Sequence, residues 1–283
     1  MPSYDYYYLV SGLPDLLIED NKFVPTFRTF MDEVADLTEP DDFDVISAMA
    51  LPIDNRNLIS MVEGTGAQFD PRGRFTREDF GDLARPPDEL PHYMQAFLDA
   101  HRDNRQLFPG LTPIDQLSWL FYDEMADSEN EFLREWHEFD LGLRNVAAGL
   151  NIRKGLTHIE AMATERDRPE ALSVIGRGDI AEAVLRSTAP DFGLGASYPW
   201  VERVIALSHG TLTEMEKGLD EIRWEMLGEL TTLSYFQAET VAVTAQKLLI
   251  VERWMSLEPA AGKVKLDKLV EELMGSFVMP AGF

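Results

Sequence analysis

The sequence has no cysteine, no basic start and no long apolar run, and each absence narrows the class of protein. Without cysteine, disulfide bonds, thiol catalysis and cysteine–metal sites are excluded, and a reducing compartment fits. The first ten residues, MPSYDYYYLV, carry no lysine or arginine, so we expect no secretion signal. No stretch of about 18 consecutive apolar residues occurs, so we expect no transmembrane helix.

The motifs that usually indicate chemistry are also missing: there is no GxxxxGK[ST], no GxGxxG and no HExxH. His137 and Asp140 lie one helical turn apart, but acidic helices produce such pairs by chance. We therefore predict a protein with no catalytic residues, no cofactor and no metal. An enzyme that uses paired carboxylates, with or without a metal, is the weakest of the alternatives left open.

Basic residues are scarce, with 25 Lys and Arg against 50 Asp and Glu and a net charge of −25. Residues 1–140 hold 30 acids and 10 bases, a net charge of −20, which leaves −5 for residues 141–283. Such a surface repels phosphate backbones, so we expect no nucleic-acid partner. Two interpretations of the acidity stay open: solubility or adaptation to salt, and a surface that meets a basic partner.

Apolar stripes at helical spacing dominate the second half of the chain. Ser128 and Glu131 match a capping box, which predicts the start of a helix. The stripe that follows recurs at alternating steps of four and three residues: Phe132, Trp136, Phe139, Leu143, Val146 and Leu150. Two further stripes lie within 210–236 and 238–257. Facing stripes predict antiparallel helix pairs, so the predicted fold class is mainly α, a multi-helix, bundle-like architecture.

The first 91 residues are less regular. Alternating tyrosines predict a short extended segment at 4–10, and Pro52 is expected to end a helix, with Asp54 or Asn55 capping the next. We expect an N-terminal helical region 1–63, a loop or linker 64–91 and a helical domain 92–283, or one domain that joins the first and last. Helices are predicted near 25–37, 40–51, 54–63, 91–106, 113–127, 129–151, 155–166, 168–176, 178–187, 198–208, 210–236, 238–257 and 264–276.

Three blocks of sequence together resemble a known family. They are YYYLVSGLPD at 6–15, DNRNLI at 54–59, and YFQAETV from 235 onward, which continues through KLLIVERW at 247–254 to Gly262. These blocks are similar to a bacterial family of uncharacterised proteins encoded among the subunits of V-type (A/V-type) ATPases. The likeness runs over nearly the whole chain, and the family has no established catalytic residues.

The resemblance implies a stand-in for the V-type ATPase component called C in bacteria and d in eukaryotes. That component is a helical, funnel-like body that joins the membrane rotor ring to the central stalk on the cytoplasmic face. The segment DLGLRNV at 140–146, followed by RKG at 153–155, looks like a pattern of that component. The implied protein is non-catalytic and cytoplasmic. It is peripheral on the inner membrane through its complex, without inserting into the membrane, and its partners are the stalk and rotor-ring subunits.

Positive charge towards the end of the predicted helix 129–151 marks a candidate contact. The residues predicted to bind a partner are Arg144, Asn145, Arg153 and Lys154, together with Trp254 if its side chain is exposed. Cations also suit a helix C-terminus because they complement the helix dipole, so a purely structural role is equally open. A further alternative is an acidic helical adaptor that binds a basic protein outside the ATPase.

Overall fold

The computed structural model describes residues 6–18, 24–64, 68–81, 83, 89–159, 174–232 and 236–257. The mainly α fold class is confirmed, because the regular structure of these residues is helical. The helices are α1 (Tyr7–Ser11), α2 (Phe27–Leu37), α3 (Pro40–Ala48), α4 (Leu51–Glu63), α5 (His92–Arg102), α6 (Pro113–Ala126), α7 (Glu131–Ile159), α8 (Gly178–Arg186), α9 (Pro199–Leu207), α10 (Leu212–Leu230) and α11 (Ala238–Leu257).

Side chains at the helix starts explain where several helices begin. Thr26, Thr112 and Thr211 precede α2, α6 and α10, and each hydroxyl accepts a hydrogen bond from a backbone N–H of the first turn. In α10 Glu214 also accepts from the backbone N–H of Thr211, which completes a capping box. Proline stands in the first turn of α3, α4, α6 and α9, where a backbone N–H would have no acceptor within the helix, so its absence costs no hydrogen bond.

The 29-residue helix α7 packs against α6, α8, α9 and α10. All six residues of its predicted stripe are buried, which confirms that prediction. Gly149 lets α8 approach closely, because a Cβ at this position would lie 2.4 Å from Cγ1 of Val184. α7 is therefore the helix around which the second half of the described chain is packed.

Helix α11 packs against α2, α3 and α10, so it joins helices from both ends of the chain. The buried residues of its predicted stripe are Val241, Ala245, Leu248 and Val251. In the α10 stripe Met215, Leu219 and Ile222 are buried, but Leu212, the first residue of the helix, is 76% exposed. Apolar side chains from α2 to α11 form one connected buried cluster.

The extended segment predicted at 4–10 is wrong for the residues described, since Tyr7–Ser11 forms the short helix α1. Residues 4 and 5 lie outside the described part of the chain. Tyr6 donates its backbone N–H to the carbonyl of Phe236 at 2.7 Å, and the Tyr7 and Phe236 rings lie 4.3 Å apart. No strand lies beside this segment among the described residues, so a helical turn satisfies its backbone instead.

Two predictions about α7 are also wrong. The cap is Asn130, whose Oδ1 accepts from the N–H of Leu133 at 3.0 Å, whereas Ser128 Oγ accepts only from the N–H of Asn130. The helix also continues through 151–155, where two separate helices were expected, because no proline interrupts it there and Gly155 is tolerated in a helix. Residues 160–166 of the second expected helix lie outside the described residues.

Pro52 begins a helix instead of ending one. α3 stops at Ala48 and α4 starts at Leu51, so the proline falls in a first turn. Asp54 and Asn55, predicted as caps, are buried inside α4. Of the helices predicted at 168–176 and 264–276, only residues 174–176 are described, and these are not helical.

Residues 64–91 contain no helix at the positions that the structure describes. The division of the chain into domains at this segment stays a prediction. Helix α11, which follows the segment in sequence, contacts α2 and α3, which precede it. Within the described ranges, no helix combines the length and the hydropathy needed to span a membrane.

Candidate functional site: an arginine-lined cleft

A cleft of about 430 Å³ lies between α4, α7, α10 and α11, and four arginines line it. Arg56 comes from α4, Arg72 from the loop 68–81, Arg223 from α10 and Arg253 from α11. We call this cavity the arginine cleft. Three of the four arginines are bonded to carboxylates: Arg72, Arg223 and Arg253.

The loop that carries Arg72 is held by polar side chains of α4. Asp54, which is fully buried, accepts the backbone N–H groups of Arg74 at 2.8 Å and Phe75 at 3.2 Å. Asn57 donates to the carbonyl of Asp70 at 2.9 Å and accepts its N–H at 2.8 Å. The loop backbone is thus satisfied by α4, which fixes the position of Arg72 at the cleft.

Arg72 is paired with two carboxylates, through all three nitrogens of its guanidinium. Its guanidinium donates to both carboxylate oxygens of Asp70, at 3.0 and 2.7 Å, and to Oε2 of Glu252 at 3.2 Å. The hydrogen bonds from Arg72 lower the pKa of Asp70 below its ordinary value. Glu252 also accepts the backbone N–H of Phe27 at 2.6 Å, so this cluster ties α2, the loop and α11 together.

The floor of the cleft is a half-buried ion-pair network of Arg223 with Asp140 and Asp220. Arg223 donates from Nε to Asp140 at 2.9 Å and from Nη1 to Asp220 at 3.0 Å, and Tyr122 donates its hydroxyl to Asp140 at 2.8 Å. Burial by itself raises the pKa of Asp140, but the charge and hydrogen bonds of Arg223 and the bond from Tyr122 bring it below its ordinary value. The floor therefore carries fixed, mutually compensated charges.

Arg253 and Trp254 join the same network from α11. Asp220 accepts Nη1 of Arg253 at 3.1 Å and Nε1 of Trp254 at 2.9 Å, and Arg253 also pairs with Glu216. Asp220 is 2% exposed and accepts from three side chains, so it is fully engaged. The network connects α6, α7, α10 and α11 at one point.

His137 lines the cleft from α7 without a hydrogen bond. Neither of its ring nitrogens has a partner among the described residues, although the side chain is only 3% exposed. Its ring lies edge-on to Phe121 at 4.9 Å. Burial lowers the pKa of His137 to about 4, so the imidazole is neutral at physiological pH. A buried polar group without a partner is uncommon and needs an explanation.

Arg56 is the cleft arginine that makes no hydrogen bond or ion pair with a described residue. Its side chain is exposed at the rim. Desolvation lowers the pKa of its guanidinium, and the charges of Arg72 and Arg253 lower it further, against the opposing effect of Asp70. The cleft therefore has one cation whose charge is not directly matched.

The described residues contain no group of three or more His, Asp or Glu side chains placed to hold a metal ion. Burial raises the pKa of Asp54 to about 7, a value suited to acid–base chemistry, but this carboxyl does not line the cleft. The cleft is a polar cavity whose charged side chains are mostly bonded to one another.

The residues predicted to bind a partner lie away from the cleft, apart from Trp254 beside it. Arg144 pairs with the buried Asp115 at 2.5 Å, and Asn145, which has no exposed area, bonds to the backbone of Ile175. Arg153 donates to the carbonyls of Ser187 and Ala189. These three side chains hold together segments of the chain itself.

Lys154 and Trp254 differ from those three in their surroundings. Lys154 is exposed on α7, and Trp254, which was predicted as a contact only if exposed, is half-buried. The structure brings Arg144 and Asn145 together on α7, and Arg153 and Lys154 lie about two and a half turns further along the same helix. A contact role for the five residues stays a prediction.

Sequence reasoning missed the arginine cleft. A signal was present, since Arg56 lies in the block 54–59 and Arg253 in the block 247–254, the two internal blocks of the resemblance. Arg72 and Arg223 carry no comparable signal, because an isolated arginine in a loop or a helix has no distinguishing pattern.

A family model described as "Protein of unknown function (DUF2764)" matches residues 3–276 of the chain. A search of curated proteins and a search of solved structures each return no significant match.

Proposed function

The chain belongs to the DUF2764 family of proteins of unknown function, and we propose that it is a non-catalytic subunit of a V-type ATPase. In this proposal it couples the central stalk to the membrane rotor ring, the role played by the component called C in bacteria and d in eukaryotes. It is held on the cytoplasmic face of the inner membrane by its partners in the complex, without inserting into the lipid.

The observation that supports the proposal most is that the three sequence blocks of the resemblance lie together in the fold. The first block docks on the third, since Tyr6 and Tyr7 contact Phe236, two residues before α11. The second block meets the third at the arginine cleft, through Arg56 and Arg253. Segments separated by as many as 230 residues, from Tyr6 to Phe236, thus lie side by side, as expected if the blocks define a family with one role.

The packing suits a part that transmits force. Half-buried ion pairs and hydrogen bonds join α6, α7, α10 and α11, and an apolar cluster runs from α2 to α11. A close-packed interior has low compressibility and transmits strain. The acidic surface also disfavours adhesion to anionic headgroups, which helps a body that turns beside a membrane.

The proposal is tested by affinity capture from native membranes, using the tagged full chain and identifying the partners by mass spectrometry. We expect rotor-ring and central-stalk subunits in stoichiometric amounts that resist moderate salt. Recovery of none of these subunits would reject the ATPase role.

Two single charge reversals refine this test. Lys154→Glu places an acid at an exposed predicted contact, and Arg186→Glu makes the same charge change at a 78% exposed position on α8. We expect Lys154→Glu to lower recovery of the partners and Arg186→Glu to leave it unchanged. Equal recovery with both variants would remove Lys154 from the contact surface while leaving the ATPase role intact.

The net charge of −25 favours a second candidate, an acidic adaptor that binds a basic protein. The same capture distinguishes it, because an adaptor would recover basic proteins that are not ATPase subunits, and their recovery would fall steeply as salt is raised.

A further inference from the structure

Exposed aromatic rings cluster where the N-terminal helix α1 meets the start of α11. Tyr7 is 59% exposed, Tyr8 85% and Phe236 36%, and the rings of Tyr7 and Phe236 lie 4.3 Å apart. We call these three side chains the aromatic patch. Single exposed apolar residues are ordinary, but a cluster of large rings on the surface is typical of a site that contacts another protein.

The aromatic patch borders a groove of about 750 Å³ between α3, α6, the start of α7 and the start of α11. The two are continuous, because Tyr6 donates its hydroxyl to the lining residue Asp42 at 2.5 Å and Phe236 directly precedes the lining residue Gln237. Apolar side chains form part of the lining: Val45, Ala48, Leu51, Phe75, Met125 and Leu133. The groove therefore offers apolar surface as well as polar groups.

The charges of this groove do not cancel. Its described lining holds one cation, Arg74, and eight carboxylates: Asp41, Asp42, Asp44, Glu89, Glu124, Glu129, Glu131 and Glu239. Arg74 pairs with Asp44 at 2.6 Å. In the part of the chain that the structure describes, the other seven carboxylates have no ion-pair partner, inside the lining or beyond it. We call this cavity the acidic groove.

One of these carboxylates is in a position that a bound cation would improve. Glu124 is half-buried and accepts the backbone N–H of Tyr93 at 2.8 Å. Burial nevertheless raises its pKa above the ordinary value, so its charge is disfavoured where it lies. An ammonium or guanidinium group in the groove would compensate that charge.

We propose that the acidic groove and the aromatic patch together bind a basic amphipathic helix of a partner protein. Its lysines and arginines contact the carboxylates, and its apolar face contacts the rings. Charge complementarity selects this occupant, because seven carboxylates without paired cations attract a cationic segment and repel nucleic acid and anionic lipid. An amphipathic helix can lay its apolar face into a groove between helices, whereas the described residues contain no strand edge that an extended peptide could join.

A second copy of this chain is a poor occupant of the groove. Each copy carries a net charge of −25, so two copies repel one another, and the seven carboxylates without paired cations add to this repulsion. The helix therefore belongs to a different protein. The inference goes beyond the ATPase role, because it specifies a surface and the chemistry of the segment that binds there, whichever complex supplies that segment.

The probe is a fluorescently labelled helical peptide of lysine and leucine, about 18 residues or five turns long, with the two residue types on opposite faces. Fluorescence anisotropy measures its binding to the full chain at about 0.15 M salt. We expect saturable binding with a Kd of about 10 μM or tighter, weakened at least about tenfold at about 0.5 M salt. Absence of saturable binding overturns the proposal.

Two control peptides test the charge and the amphipathic face separately. A peptide with glutamate in place of every lysine should not bind, because it meets like charges. A peptide of the same composition in scrambled order should bind at least about tenfold more weakly, because its leucines no longer form one face. Binding by the glutamate peptide, or equal binding by the scrambled peptide, would overturn the proposed recognition.

Matched charge reversals locate the peptide on the chain. Glu129→Lys changes an exposed carboxylate of the groove, and Glu182→Lys makes the same change at a 57% exposed position on α8. We expect Glu129→Lys to weaken binding by about fivefold or more and Glu182→Lys to change it by less than about twofold, since attraction depends on the nearest charges. Equal effects would show that the peptide responds to the net charge of the chain, which overturns the assignment to the groove.

A second pair of variants tests the aromatic patch. Tyr8→Ser removes the most exposed ring, and Leu212→Ser removes a 76% exposed apolar side chain from α10. Leu212 lies towards the opposite end of α11, because Glu216 of the same helix pairs with Arg253. Both variants should melt at the wild-type temperature, since neither side chain is buried. We expect Tyr8→Ser to weaken binding by about threefold or more and Leu212→Ser to leave it unchanged. Equal binding by the two variants would overturn the placement of the helix on the aromatic patch.

Discussion

Asn145 and Ile175 exchange two hydrogen bonds across 30 residues of chain. Nδ2 of Asn145 donates to the carbonyl of Ile175 at 2.9 Å, and Oδ1 accepts the N–H of Ile175 at 2.8 Å. Both residues have no exposed area. The amide of Asn145 thus takes the place of a neighbouring backbone and fixes the segment that leads into α8 against α7.

Replacing Asn145 should destabilise the protein strongly. Asn145→Ala leaves a donor and an acceptor of the Ile175 backbone buried without a partner, so we expect the free energy of unfolding to fall by about 2–4 kcal/mol. Urea unfolding followed by circular dichroism measures this. Asn151→Ala, at an exposed position of the same helix, is the matched control and should change the free energy by less than about 0.5 kcal/mol. Similar losses in both variants would contradict a special role for the pair.

The sequence could indicate that Arg144, Asn145 and Arg153 matter, but it could not indicate what they contact. Their partners are Asp115, Ile175 and the chain near Ser187, which lie about thirty residues away in sequence. The apolar stripe of α7 was predictable, because helical period and burial are properties of one segment. Side-chain pairing between distant segments has no such local signal.

Asp54 should make the stability depend on pH. Burial raises its pKa from 3.8 to about 7, so between these values the folded state holds a proton that the unfolded state has released. Its contribution to stability is therefore complete below pH 3.8 and is lost as pH rises towards and through 7. Between pH 5.5 and 8.5, the free energy of unfolding of the wild type should fall by about 2 kcal/mol more than that of a variant with a non-ionisable residue at position 54.

The comparison for Asp54 is Asp54→Asn, whose unfolding is measured by urea at both pH values. Its absolute stability will also change, because an amide cannot accept from both Arg74 and Phe75, but that loss does not depend on pH. Both pH values lie above the pI of about 4.4, so the protein keeps a net negative charge that preserves its solubility. An equal pH dependence in wild type and variant would mean that Asp54 is ionised in the fold throughout this range.

His137 should have the opposite pH dependence. Its pKa is lowered to about 4 by burial, so the folded state binds fewer protons than the unfolded state between about 4 and 6.5, and stability is lost as pH falls through that range. As pH falls from 7.5 to 5.5, the free energy of unfolding of the wild type should drop by about 1.4 kcal/mol more than that of His137→Phe. At pH 7.5 the variant should be at least as stable, because it replaces a buried ring without polar partners by an apolar one.

The arginine cleft itself was beyond prediction because its four arginines belong to three helices and a loop. Arg56 and Arg253 are nearly two hundred residues apart in sequence and come to line one cavity only in the folded chain. The acid-rich composition also points away from a cluster of arginines, since net charge describes the whole surface and not one cavity.

Two glycines of α7 test how closely its neighbours are packed. At Gly149 a Cβ would lie 2.4 Å from Val184 and 3.1 Å from the ring of Phe192, both of which are buried, whereas at Gly155 no atom lies within 4 Å. Gly149→Ala should therefore lower the free energy of unfolding by about 1–3 kcal/mol through overpacking. Gly155→Ala should raise it by up to about 1 kcal/mol, since alanine favours the helix and meets no neighbour. Urea unfolding of the two variants gives the signs directly. A stabilising Gly149→Ala would mean that α8 can move away from α7, and the close approach of these helices would then not be a requirement of the fold.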